Sequence, residues 1–438
     1  MHTGFSLSRG SSIEHMNRLI FLNRFFHPDH SATSQILSSL AFYLAQTGRE
    51  VHVITSRQRY GQAGANLPAQ EIVRGVHIRR VYSTQCGRSR LVGRGIDYLS
   101  FYASVWRCML TLADQNDILI AKTDPPLLSV LAMSAAERRG AHLVNWLQDL
   151  YPEVAIQLGV PFLKGCIGRA LSRIRDASLR SAAANVVLGR RMAERVVSCG
   201  ASPSRIHVIP NWCDEEQIYP IDHSENPLRR LWALDNKFVV GYAGNLGRAH
   251  EFGTILDAAK RLRNEHHFIF LFIGSGHYFK ELDQRVKKSG LENLFRFVPY
   301  QEEMFLNQAL CVADVHWLSL RPELEGFIVP SKFYGIAAAG RPVISITAKD
   351  GEIAQLVRQY DCGVVIEPGN SEALADSLVL LSQNYERVIA MGVHARAMLD
   401  AHFTRRQAFE RWRGVLQAIE RLPIEGGSSS ISVDTRSE

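Results

Sequence analysis

The 438-residue chain is 46% hydrophobic and 21% charged, which is ordinary for a soluble globular protein and long enough for two hydrophobic cores. Its seven cysteines are scattered, with no C-x-x-C pair and no Cys/His cluster, which excludes a zinc ribbon or a disulfide framework and suits a reducing compartment. The net charge of +7 is uneven: residues 1–210 carry 25 Lys+Arg against 13 Asp+Glu, the rest 25 against 30, so the first half favours an anionic partner.

The N-terminal stretch lacks an apolar core followed by a small-residue cleavage site, so no signal peptide is read there. Residues 1–16 read as a disordered extension, with Met16 as an alternative start. No run of eighteen uncharged apolar residues occurs, so no bilayer-spanning helix is expected. From residue 18 the pattern alternates. "RLIFLNRFF" (18–26) reads as a buried strand and "SATSQILSSLAFYLAQTGRE" (31–50) as a helix. Strands follow at 51–55, 76–82, 117–122, 141–149, 183–189 and 206–211, with a helix at 127–140 closed by Gly140. Short apolar strands alternating with helices predict a parallel sheet covered on both faces.

The segment 211–230, polar and holding two prolines, reads as a linker. Beyond it the alternation resumes, with strands at 237–244, 268–274, 294–300, 314–320 and 342–347. Helices are expected at 252–265, 278–290, 302–313, 332–340, 352–359, 371–383 and 385–399, and a last one at 405–422. The tail 423–438 is of low complexity and reads as disordered. The expected fold class is therefore α/β, two doubly wound Rossmann-like domains facing a cleft. The first spans 17–210 and the second 231–403, and the helix within 404–422 crosses back to the first.

Ligands of open α/β sheets bind beyond the carboxyl ends of the strands. There "FVVGYAGNLGRAHE" (238–251) ends an apolar strand in a glycine-rich turn with Arg248. Gly244, Asn245 and Gly247 permit close backbone approach to a phosphate, and the helix that follows suggests free N–H groups. A merely tight turn is the competing account. In "ELEGFIVPSKFYGIAAAGRPVIS" (323–345), Ser331 is a candidate helix N-cap, and Lys332 sits in the first turn. A cation there is unfavourable unless an anion binds. Arg248 and Lys332 together are the candidate clamp for a diphosphate.

These motifs, with "GREVHVIT", "IHVIPNWCD" and "EIAQLVRQYDCGVVIEPGN", resemble those of retaining glycosyltransferases of the GT-B type, family 4, of the kind that builds bacterial surface polysaccharides. The resemblance runs from about Asn17 to about Leu422. It implies that the second domain binds a nucleotide-diphosphate sugar and the first an acceptor. The family's pair of glutamates eight residues apart is absent: Phe327 and Gly335 stand at those positions. Glu325, close by, is the remaining carboxylate candidate on the donor side. The family's glycine pair in the first strand–helix loop is replaced by "HSATS" (30–34), whose Ser31 and Thr33 present hydroxyls to an acceptor.

Stabilising charge on a leaving β-phosphate needs preorganised donors rather than a protein nucleophile. Arg248 and Lys332 are the catalytic candidates for it. Asp149, after a first-domain strand, is the candidate that positions or partly deprotonates the acceptor hydroxyl, with a capping role as the alternative. Asp124 is similarly placed. No metal-ligand constellation is read, so no cofactor and no metal are expected. The expected partners are a nucleotide-diphosphate sugar, a lipid-linked or saccharide acceptor and an anionic membrane surface, with no nucleic acid. The last rests on 161–184, where Lys164, Arg169, Arg173, Arg175 and Arg180 flank an apolar stripe. The expected place is the cytoplasm, peripheral on the inner face of the plasma membrane. Two alternatives stay open: a nucleotide-sugar epimerase or phosphorylase on the same scaffold, or a non-catalytic, membrane-associated nucleotide-sugar-binding protein.

Overall fold

A computed structural model describes residues 17–59, 66–86 and 91–422. The extension 1–16 and the tail 423–438 lie outside the described residues. The apolar runs form strands because each is buried on both faces, as in Leu19–Leu22 and Val51–Ser56, where every residue is buried. The first sheet holds β1 (Leu19–Leu22), β2 (Val51–Ser56), β3 (Gln70–Val73), β4 (Val76–Val81), β5 (Ile118–Lys122), β6 (His142–Trp146), β7 (Ala184–Val187) and β8 (Ile206–Val208). Their spatial order is β3-β4-β2-β1-β5-β6-β7-β8, parallel except for β3. The second sheet holds β9 (Phe238–Asn245), β10 (Phe268–Ser275), β11 (Phe295–Val298), β12 (Val315–Ser319), β13 (Val343–Ile346) and β14 (Gly363–Ile366). It runs β11-β10-β9-β12-β13-β14, all parallel.

Strand order reverses direction between β1 and β5 in one sheet and between β9 and β12 in the other. Such switch points leave a crevice beyond the strand ends. Two strands escape the sequence reading. β3 and β4 form a hairpin whose two turn residues, Arg74 and Gly75, both have positive φ (50° and 83°), the backbone of a type I′ turn; arginine is an unusual occupant and hides the signal. β14 is only four residues long.

Helix Arg405–Glu420 starts at a reciprocal cap, Thr404 Oγ1 accepting from the Gln407 N–H and the Gln407 side chain accepting from the Thr404 N–H. Its apolar face packs against the first sheet, not the second. Trp412 meets Trp146 edge to face at 4.7 Å, and Phe409 stacks on Tyr43 at 4.4 Å. Truncating a fully buried tryptophan of this kind costs about 3–5 kcal/mol, so this helix ties the chain's end to its first half.

The two halves also touch directly beside the crevice. The Leu150 N–H donates to Phe327 O at 2.9 Å, and Asp149 bridges with Ile328. Leu147, Leu150 and Val154 share one apolar cluster with Leu320, Leu324 and Phe327.

Candidate active site

β9 ends in Gly244 and Asn245, and the loop after it packs backbone to backbone against the end of β10. The Leu246 N–H donates to Ser275 O at 2.8 Å, and the Tyr278 N–H to Leu246 O at 3.1 Å. Gly276, at φ +147°, lies so close that a Cβ there would stand 2.4 Å from Leu246 N. Gly244 has φ +124°, and a Cβ on it would stand 2.7 Å from Lys332 Cε. Two constraints therefore select glycine at 244: its backbone and the lysine stem lying across it.

Lys332 opens the short helix Lys332–Ala338 with Ser331 in the N-cap place, though the serine hydroxyl makes no capping bond. The lysine is half-buried and reaches back over Gly244. Its Nζ lies 3.3 Å from Asn245 O, 3.3 Å from His250 Nε2 and 5.2 Å from the centre of the Tyr242 ring. Burial lowers its pKa to about 8. Among the described residues no carboxylate lies within ion-pair distance of it.

The helix after β9, Gly253–Arg261, departs from expectation. Its start is occupied by the chain's own carboxylate: Glu251 accepts from Thr254 N at 3.0 Å and from Thr254 Oγ1 at 2.7 Å. An anion at this loop therefore meets Lys332 rather than that helix end. At Gly247 an added Cβ would make only ordinary contact, with Asn245 Nδ2 at 3.6 Å. Arg248 is exposed, and its Nη2 donates to Leu158 O in the first domain at 2.6 Å.

Glu325 is half-buried against Gly351 and Glu352, and burial raises its pKa to about 7, against a hydrogen bond from the Glu352 backbone N–H and with the nearby Asp350 and Glu352 charges adding to the rise. It lines an interdomain groove of about 690 Å³ with Arg191, Arg195, Phe327 and Asp350. Phe327 lies under the Arg195 guanidinium at 4.9 Å. At Gly335 the nearest atom to an added Cβ is Leu310 Cδ1 at 3.7 Å. Neither Phe327 nor Gly335 brings a charge to this side of the cleft.

Across the cleft, the ends of β1, β5 and β6 gather a second set. Lys122 is fully buried, with Nζ donating to Thr33 O at 3.1 Å and lying 3.8 Å over the Trp146 ring. Burial lowers its pKa to about 7, against the pull of Asp124 and Asp149. Asp149 shifts the other way, up to about 6, from burial first and then from Asp124. Asp124 is half-buried, and Tyr98 near it lies over Arg24 at 5.0 Å. The Gln148 amide nitrogen and the Ser31 hydroxyl are buried without partners among the described residues. Thr33 contributes its carbonyl to Lys122.

Sequence reasoning missed His250 and Lys122. His250 lies two residues past Arg248 in the same loop, and Lys122 ends an otherwise apolar strand, an unusual place for a buried charge. Among the described residues no group of three or more His, Cys, Asp or Glu side chains is placed to hold a metal.

Comparison with known proteins bears on the family and the fold. Residues 32–212 match the model of the glycosyl transferase 4-like domain, and residues 237–384 that of glycosyl transferases group 1. The chain is 29% identical over 295 residues to the probable glycosyltransferase WbjE of Pseudomonas aeruginosa, covering 66% of this chain and 72% of that one. It is 26% identical to the putative colanic acid biosynthesis glycosyl transferase WcaI of Escherichia coli, covering 89% of this chain and 98% of the relative. In fold it is similar to Anabaena Alr3699/HepE, solved in complex with UDP, with a TM-score of 0.69 at 17% identity over 92% of this chain and all of that one.

Proposed function

The chain belongs to the GT-B glycosyltransferases, and from that premise we propose that it moves a sugar, with retention of anomeric configuration, from a nucleotide-diphosphate sugar to a lipid-linked or growing polysaccharide acceptor. The observation that carries the donor half is Lys332, a half-buried cation with no carboxylate partner among the described residues, laid across Gly244 at the β9–β12 switch point. A half-buried ammonium without a carboxylate is costly until an anion arrives, so the site favours a diphosphate. Arg248 adds a forked donor at the cleft edge. As the glycosidic bond to the β-phosphate breaks, these cations stabilise the charge on the leaving oxygen. The UDP complex of the Anabaena neighbour supports a uridine nucleotide as the first donor to test.

The acceptor half rests on Asp149, a carboxylate lifted to about 6 beside Asp124 and Lys122. Near neutral pH it is ionised but basic enough to hold an acceptor hydroxyl and accept part of its proton. Retention and a lipid-linked acceptor are proposed from the family resemblance alone; the colanic acid biosynthesis relative supports a polysaccharide product.

For the membrane face, helix Cys166–Ser181 leaves Ile167, Arg169, Arg173, Ile174 and Arg180 exposed, beside Lys164 and the 83% exposed Phe162. Arg175 does not belong to that face: it is buried and paired with Glu153 at 2.6 Å and Asp176 at 2.7 Å. Leu163 and Leu171 are half-buried. The basic and apolar residues that remain support reversible attachment to an anionic inner leaflet. No helix among the described residues is long and apolar enough to cross a membrane.

Incubation with radiolabelled UDP-sugars and a bacterial lipid extract tests the reading. Label in the lipid phase, with NMR of the product showing the donor's configuration, supports it. Nucleotide-sugar binding without transfer would instead indicate a binding protein.

A further inference from the structure

The loop after β9, the end of β12 and the start of helix Lys332–Ala338 meet at one imidazole. His250 Nδ1 lies 2.7 Å from Ser319 O, and a carbonyl can only accept, so Nδ1 carries the proton. The other nitrogen, Nε2, is then a lone-pair acceptor, and it stands 3.3 Å from Lys332 Nζ. The ring is fixed further by Tyr242, edge to face at 5.9 Å, and the loop by the Glu251 N–H donating to Ser319 Oγ at 3.0 Å. The Tyr242 hydroxyl is spent on Asn245 O at 2.9 Å.

We propose that His250 is a positioning residue of the donor site. Anchored by Ser319, it presents Nε2 to Lys332 and holds the ammonium against the Gly244–Asn245 edge, where the diphosphate docks. The inference rests on the reading of Lys332 as the diphosphate's cation.

The groups facing this pair are few. Lys332 meets His250, the Asn245 carbonyl and the Tyr242 ring; His250 meets Lys332, Ser319 and Tyr242. With no carboxylate within ion-pair distance among the described residues, a neutral imidazole is the one side-chain acceptor offered to the ammonium. It orients the lysine without neutralising it, and leaves its charge for the ligand. A carboxylate in the same place would hold the lysine more tightly and compete with phosphate. The imidazole stays neutral because burial and the adjoining ammonium hold its pKa down to about 3.

The test uses the full chain and two probes, inorganic pyrophosphate and UDP, with dissociation constants measured by calorimetry from pH 6 to 9.5. In wild type, affinity falls on the alkaline side as Lys332 loses its proton. His250→Leu keeps the site dry but removes the acceptor. It weakens pyrophosphate about tenfold or more and moves the alkaline limb to lower pH, with the acceptor KM unchanged. His250→Gln, whose side-chain carbonyl can accept, recovers most of both effects. If Lys332→Met abolishes pyrophosphate binding while the limb of His250→Leu superimposes on that of wild type, His250 is packing only and the inference fails alone. If Lys332→Met binds both probes as wild type does, or wild type binds neither, the donor reading itself fails. Should the leucine variant unfold, His250→Gln against His250→Asn, whose shorter amide falls short of Lys332, decides: equal limbs overturn the inference.

Discussion

Arg248 of the second domain donates from Nη2 to the backbone oxygen of Leu158 in the first, 2.6 Å away. The two residues are 90 positions apart in sequence and lie on opposite sides of the cleft. A neutral carbonyl is a weaker partner for guanidinium than a phosphate is. An arriving diphosphate can therefore take the arginine over, so that donor binding and the closed cleft draw on the same side chain.

Replacing Arg248 is accordingly expected to act on the donor. Arg248→Ala should lower kcat/KM for the nucleotide sugar by about 2–4 kcal/mol of barrier. Arg248→Lys should recover little, because a compact ammonium lacks the forked geometry. Steady-state rates at varied donor and fixed acceptor give the answer, and wild-type rates in the alanine variant overturn the role.

Lys332→Met should separate function from stability. Burial holds the lysine's pKa at about 8, below its unfolded value. Below pH 8 both folded and unfolded states are protonated, and the folded state bears the full cost of the enclosed charge. Between pH 8 and the unfolded value the folded protein sheds the proton first, so stability rises with pH there. Methionine removes that cost, up to about 3 kcal/mol at neutral pH. The variant is therefore expected to melt higher than wild type at pH 7 and to lose donor turnover. A lower melting temperature would mean that the lysine's contacts outweigh its desolvation.

Asp149→Asn probes the acceptor side. The carboxyl group sits at about 6, so wild-type kcat/KM should fall as pH drops through 6 and the group becomes protonated. The asparagine variant should lose about 10²–10⁴-fold and that acid limb with it. Stability runs the opposite way. A folded pKa above the unfolded one favours folding at low pH, and the advantage is lost as pH rises from about 4 to 6. Thermal melts of both proteins at pH 5 and 7.5 check the sign: the variant gains more on wild type at the higher pH than at the lower.

The donor loop is legible in sequence because its signal is local: an apolar run, glycines and a basic residue within fourteen positions. The same holds for the alternation that predicts two parallel sheets. What sequence conceals is how side chains are used between loops. Glu251 reads as an ordinary polar residue, yet its carboxylate closes the helix start that the glycine turn suggests for phosphate. His250 gains its role from Ser319 and Lys332, 69 and 82 residues away. Arg175 reads as one more base on a cationic helix, but a Glu153 contact 22 residues back turns it inward. The Glu251 cap spans only three residues, but the glycine turn beside it draws attention to the helix start and away from the acid; the His250 and Arg175 roles depend on packing between distant segments that no local pattern encodes.

A further interdomain contact gives the last prediction. Glu352, at the start of helix Glu352–Gln359, accepts from the N–H groups of Arg190 (3.1 Å) and Arg191 (3.0 Å). Those open the first-domain helix Arg190–Ser198, whose N-cap position is Gly189 and has no side chain to cap with. The carboxylate of one domain thus caps a helix of the other, favourably placed at its positive end. A Cβ at 189 would stand 2.4 Å from Glu352 Cδ, so glycine there admits the carboxylate. Arg191 strengthens the junction through Asp350 at 2.6 Å. Glu352→Ala should cost about 1 kcal/mol through the lost cap and should also open the cleft. Glu352→Gln, which keeps an acceptor but not the charge, should fall between. Small-angle scattering of the three proteins reads the opening as a larger radius of gyration in the alanine variant. Donor KM should rise in step, because the Arg248–Leu158 edge parts as the domains move. An unchanged radius with reduced stability would reduce Glu352 to a helix cap with no part in closure.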